Sequence, residues 1–124
     1  MTHKIMIADD EPNILISLEY LMKREGFAVT LARDGQEAID AMLRERPDLV
    51  LLDVMMPRKT GLEVCQEVRA HPDLQDILIL MLTAKGRETD VAKGLALGAN
   101  GYVTKPFSTK DLVARVRAML EGAV

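Results

Sequence analysis

The chain has 124 residues, 48% of them hydrophobic and 28% charged, with a formal net charge of −3. That length suits one domain with a core of its own, so residues 1–124 are expected to form a single domain. The negative balance offers nothing to attract a polyanion, and the longest wholly apolar run, Ile77–Leu82, is far too short to span a bilayer, so neither nucleic acid nor membrane is expected as a partner.

In chain order, the apolar run Ile5–Ala8 predicts a first strand and ends on the acidic pair Asp9-Asp10. Pro12 suits the first turn of a helix whose Leu15, Leu18, Leu21 and Met22 share one face, and Gly26 suits its left-handed cap. Ala28–Leu31 predicts a second strand, short enough to be an edge. Asp34 with Glu37 has capping-box spacing or a close variant of it, marking the start of a second helix. Leu49–Leu52 predicts the third strand and is closed by Asp53; Thr60 with Glu63 then marks a third helix. Ile77–Leu82 predicts a fourth strand, followed by Thr83 and then by a helical segment up to Gly98. A fifth strand, Tyr102–Thr104, ends at Lys105, and Ser108 caps a last helix with Leu112, Val113, Val116 and Leu120 as its inner stripe. With two Tyr, two Phe and no Trp, the core must be aliphatic, and the eight methionines are expected to fill it.

Five strands alternating with five helices predict an α/β fold, a parallel sheet covered on both faces. The central apolar runs are continuous, as strands buried on both sides require. In such a sheet, function sits beyond the carboxyl ends of the strands. Asp9 and Asp10 follow the first strand, Asp53 the third, Thr83 the fourth and Lys105 the fifth, so all map to that one rim. If the first and third strands lie side by side, three carboxylates converge, and keeping them ionised needs a bound cation or raises a pKa. Strand-like residues begin by Ile5, so no signal peptide is expected, and a single cysteine fits a reducing cytoplasm.

Four pieces carry a resemblance. They are Ile7-Ala8-Asp9-Asp10-Glu11; Arg46-Pro47-Asp48 through Asp53-Val54-Met55-Met56-Pro57 with Gly61; Leu80-Met81-Leu82-Thr83-Ala84; and Gly98-Ala99-Asn100-Gly101-Tyr102-Val103-Thr104-Lys105-Pro106-Phe107. In order and spacing they resemble the receiver domain of two-component response regulators across essentially the whole chain. The resemblance implies a flavodoxin-like fold with strand order 2-1-3-4-5. It also implies transfer of a phosphoryl group from a sensor histidine kinase, or a phosphotransfer protein, to Asp53. By position Asp9, Asp10 and Asp53 match the Mg²⁺ site (Mn²⁺ being the alternative ion), completed by the backbone carbonyl of Met55. Thr83 matches the switch hydroxyl, Tyr102 the switch aromatic and Lys105 the phosphate-contacting lysine, while Lys105-Pro106 matches a peptide bond that is cis in the family. Met55 and Lys85 match residues that flank the pocket and tune the lifetime of the phosphoryl group. Output is expected on the face built from the fourth helix, fifth strand and fifth helix, toward an effector domain or partner protein, attached or separate.

The last stretch, Lys105 to Arg117, is similar to receivers joined to winged-helix DNA-binding domains, which dimerise through that face on phosphorylation. Asn100-Gly101 stands where that subgroup carries acids and Val91 where it carries a base, and both departures count against the same dimer. Each position also has a plainer explanation. Asp10 could cap the first helix, Asp9 could be a solvated loop acid, and Asp53 could make only a turn. Thr83 could be a turn residue, Tyr102 a half-buried core aromatic and Lys105 a solvated lysine; only their joint arrangement overturns this. Cys65 reads as a buried small hydrophobe, His3 and His71 as surface residues, and Arg115 with Arg117 as either a solvated face or a partner surface. Among other functions, a flavin carrier fails because Asp9-Asp10-Glu11 stands where a flavin phosphate needs donors. An aspartyl-phosphate phosphatase lacks its second acid, since Met55 stands two residues after Asp53. A degenerate receiver that only binds a partner should have lost a site residue, and none is lost.

Overall fold

Each strand hands the chain to a helix that covers the sheet, five times over. The structure is a computed structural model that describes residues 2–84 and 86–122. The elements are β1 (Lys4–Ala8), α1 (Pro12–Arg24), β2 (Ala28–Ala32), α2 (Gly35–Arg44), β3 (Leu49–Asp53), α3 (Gly61–Ala70), β4 (Leu78–Ala84), α4 (Glu88–Ala96), β5 (Gly101–Lys105) and α5 (Thr109–Leu120). All strand pairs are parallel, and the order across the sheet is β2-β1-β3-β4-β5. The short second strand is indeed an edge.

Alternate residues of the same strands feed two separate cores. Met6, Val50, Leu52, Ile79 and Met81 face one way and meet Met42, Val64 and Val68. Ile5, Ile7, Leu49, Leu51 and Leu80 face the other way and meet Leu18, Met22, Leu112 and Val116. β3 lies wholly buried at the centre, which explains its unbroken apolar run. Among the buried residues of α4 only Gly94 appears, its backbone drawn close to Met81 and Leu62.

Local chemistry sets the boundaries. Asp34 accepts the N–H of Glu37 at 2.8 Å, Thr60 and Glu63 form a reciprocal capping box, and Ser108 accepts the N–H of Asp111 at 3.3 Å. Gly26 and Gly98 take φ of +92° and +111°, the left-handed conformation a helix C-terminus favours. Some expectations need correction. Ile77 is a buried turn residue donating its N–H to Leu74, so β4 begins at Leu78 and runs on through Thr83 to Ala84. On α5 the buried residues are Leu112, Val116 and Met119, with Val113 and Leu120 half-buried, because the inner stripe rotates by one position toward its end. Met55 is 52% exposed and fills no core, since it lies in the loop that leaves β3.

Candidate functional site

Register places the acids. Ala8 pairs with Leu52 across β1 and β3, so the residues that follow, Asp9 and Asp53, stand side by side where the strands end. Asp9 is fully buried and Asp53 nearly so, while Asp10 is exposed. One carboxylate oxygen from each of the three lies within 4.8 Å of the others. The plainer readings of the first pair fall here: α1 has no side-chain cap, so Asp10 does not serve as one, and Asp9 is no solvated acid. Asp9 instead accepts the N–H of Glu11 at 2.9 Å, which tightens the turn and aims its carboxylate inward. Asp53 accepts the N–H of Met55 at 3.4 Å.

Lys105 comes from β5, two strands beyond β3, and its long stem crosses the rim to reach the cluster. Its Nζ lies 2.9 Å from Asp9 Oδ2, 3.6 Å from Asp53 Oδ1 and 3.5 Å from Glu11 Oε1. Burial works against the charge of Lys105, but the hydrogen bond to Asp9 and the attraction of Asp53, Asp9 and Glu11 outweigh it and hold its pKa above the ordinary value. Asp53 moves the other way from a normal carboxylate. Burial and the neighbouring Asp9 push its pKa up to about 7, against the opposing pull of Lys105 and the Met55 N–H. One lysine against three carboxylates leaves the cluster net negative. Three convergent carboxylates are hard oxygen donors, a set that fits a hard divalent cation and would not favour a soft one.

Gly61 explains how the loop after β3 holds this shape. Its N–H donates to the Val54 carbonyl at 2.8 Å, and a Cβ there would stand 2.2 Å from the Asp53 carbonyl oxygen. The peptide bond Lys105-Pro106 is cis. Thr83 is buried, and its hydroxyl donates to the Ala84 carbonyl at 3.4 Å. It lines a neighbouring hollow with Tyr102 and Thr104 rather than the acidic pocket itself, and Ala84 and Arg87 form the wall shared by the two. Tyr102 is 42% exposed.

The sequence matches the family described as "response regulator receiver domain" over residues 5–117. A response regulator of Chloroflexus aurantiacus superposes with a TM-score of 0.93 at 36% identity, covering 98% of this chain and 99% of that one. The chemotaxis response regulator CheY4 of Vibrio cholerae superposes with a TM-score of 0.89 at 31% identity, covering 94% and 98%. The receiver domain of DrrB, in a form activated by BeF3, gives 0.88 at 32% identity over 98% and 99%. This chain is a response regulator receiver domain. Such receivers are regulators of two-component signalling rather than classical enzymes, and they interact with histidine kinases and output domains. No helix among the described residues is long and apolar enough to cross a membrane.

Within this receiver, sequence reasoning missed two residues at the site. Glu11 stands in the sequence only as the end of the Asp9-Asp10-Glu11 motif, yet its carboxylate faces Lys105. Arg87, immediately before α4, lines the acidic pocket beside Met55, and its side chain binds Asp90. The three-residue spacing of Arg87 and Asp90 was the available signal, since such pairs meet on one helix face. Lys85, singled out with Met55, lies outside the described residues.

Proposed function

We propose that this receiver accepts a phosphoryl group on Asp53 from a sensor histidine kinase or phosphotransfer protein in the cytoplasm, and acts as a single signalling unit over its length. The convergence of Asp9, Asp10, Asp53 and Lys105 at one rim carries this reading. An Asp53 oxygen attacks phosphorus, the nitrogen–phosphorus bond of the donor phosphohistidine breaks, and the imidazole leaves with the electron pair. No general base is needed, because the nucleophile is already a carboxylate when ionised. Mg²⁺, or Mn²⁺ in its place, held by Asp9, Asp10, Asp53 and the Met55 backbone carbonyl, would supply the charge that keeps Asp53 ionised and offsets the incoming phosphoryl oxygens. Lys105 adds a second positive point charge, already held between Asp9 and Asp53. The acyl phosphate formed is reactive enough for the domain to lose it by hydrolysis, which makes the signal reversible.

The added charge of about −1.5 to −2 draws the Thr83 hydroxyl toward the phosphoryl group. That movement vacates the hollow Thr83 shares with Tyr102, and the exposed ring turns inward to fill it. The face of α4, β5 and α5 changes with it, toward an output domain, a partner or a second copy. Borohydride trapping tests the chemistry. After acetyl phosphate and Mg²⁺, reduction is expected to convert Asp53 to homoserine, located by peptide mass; modification of a different carboxylate, or of none, overturns the assignment. Amide spectra with and without beryllofluoride test the switch, with shifts expected along that face and an unchanged face ruling it out.

A further inference from the structure

The guanidinium of Arg87 is held by a strong partner and a weak one. Its Nε donates to Asp90 Oδ2 at 2.6 Å, and Nη2 contacts the same oxygen. Nη2 also donates to the Met55 sulfur at 3.2 Å, across the mouth of the pocket that holds Asp53. A thioether is a poor acceptor, so this second contact is readily exchanged. The side chain is 38% exposed and has room to move. Among the described residues, Arg87 and Lys105 are the two cations lining the pocket, and of these Arg87 also lines the hollow occupied by Thr83 and Tyr102.

We infer that Arg87 is a second phosphoryl-binding cation, which exchanges the Met55 sulfur for a phosphoryl oxygen while its bond to Asp90 carries the movement into α4. The exchange replaces a neutral sulfur by an anionic oxygen, and guanidinium–phosphate hydrogen bonds are among the strong ones. Asp90 lies in the first turn of α4, so a shift of the guanidinium pulls on that turn directly. α4 is suited to respond, because Gly94 is its one buried residue among those described. Phosphoryl contact and helix movement are thus joined by one side chain, parallel to the Thr83 route. The inference rests on Asp53 being the phosphoacceptor.

The test is an amide-shift titration of the whole chain with beryllofluoride and Mg²⁺, comparing wild type, Arg87→Gln, Arg87→Lys and Asp90→Asn. Melts by circular dichroism without ligand confirm that each variant is folded. Losing one charge-assisted hydrogen bond, Arg87→Gln is expected to bind about tenfold more weakly. Arg87→Lys is expected to fall between, since an ammonium cannot span two acceptors as a planar fork does. Asp90→Asn is expected to bind within about twofold of wild type, because it leaves the guanidinium and its charge in place to meet the ligand, yet to show smaller ligand-induced shifts along α4. If Arg87→Gln binds like wild type, or if it and Asp90→Asn weaken binding equally, Arg87 only anchors α4 and the inference is overturned. A folded wild type that takes up no beryllofluoride overturns the phosphoacceptor reading as well.

Discussion

The two ends of the parallel sheet treat polar groups in opposite ways. At the amino-terminal end the polar side chains Arg69, Asn100 and Asp48 are tied to the backbone around the strand starts. Arg69 donates to the carbonyls of Gly98 (2.9 Å), Gln75 (2.8 Å) and Ile77 (2.7 Å) and to Asn100 Oδ1 (2.8 Å). The same Asn100 oxygen accepts the N–H of Ile79, and Asp48 accepts that of Lys4. At the carboxyl end, Asp9 and Asp53 are buried beside each other with one lysine between them, and Asp53 is pushed up to about 7. One end is satisfied and stabilises the fold. The other is short of positive charge, a cost the first end helps the domain to carry, and that shortage is what a cation and a phosphoryl group can exploit.

Removing a charged group should therefore have opposite effects on stability at the two ends. The largest effect is expected from Arg69→Ala, which strands several carbonyls and should cost about 3 kcal/mol in urea unfolding followed by circular dichroism. A loss below about 1 kcal/mol would show that water replaces the clip without penalty. Gly61→Ala is expected to cost about 2 kcal/mol, since the new methyl collides with the Asp53 carbonyl and the loop must move. Asp53→Asn should instead stabilise the metal-free protein at pH 8, by a few kcal/mol at most. Asp53 ionises near its ordinary 3.8 when unfolded and at about 7 when folded. The folded state thus holds the extra proton between those values, so this group's contribution to stability falls as pH rises through that window. Below the window both states are protonated, and wild type and variant should converge; a constant gap from pH 3 to 8 would contradict the raised pKa. Smallest is Thr83→Val, expected to change unfolding by less than about 1 kcal/mol, because its hydroxyl makes one long bond. The same variant should blunt the beryllofluoride-induced shifts at Tyr102, and normal shifts there would remove Thr83 from the switch.

Much of this contrast was legible in the sequence, unevenly. The continuous apolar runs of β1, β3 and β4 announce strands buried on both faces, and an acid or lysine closing a run marks the rim. Strand order is not in the periodicity, because nothing local says which strands are neighbours; the family resemblance supplied it. Side chains that act at a distance were also hidden. In the sequence Arg117 reads equally as a solvated face or a partner surface, yet it binds Glu25 at 2.8 Å and stacks over Phe27. Asn100 stood out only as a departure from an acidic position, while its role is to close the start of β4 and hold Arg69. His71, expected at the surface, is half-buried and accepts the N–H of Asp73 at 3.0 Å within a turn. Each of these partners is remote in sequence or hidden in loop geometry, so no spacing rule reaches it. Cys65, by contrast, needed only its helical face to be placed, and it is fully buried.

Intact mass after incubation with acetyl phosphate and Mg²⁺ tests most directly whether the charge-starved end is a phosphoacceptor site. Wild type is expected to gain one phosphoryl group, and neither the EDTA-treated protein nor Asp53→Asn should gain any. A gain that survives in Asp53→Asn, or a folded wild type that gains none and also leaves its amide spectrum unchanged by beryllofluoride with Mg²⁺, would contradict it and leave a partner-binding receiver.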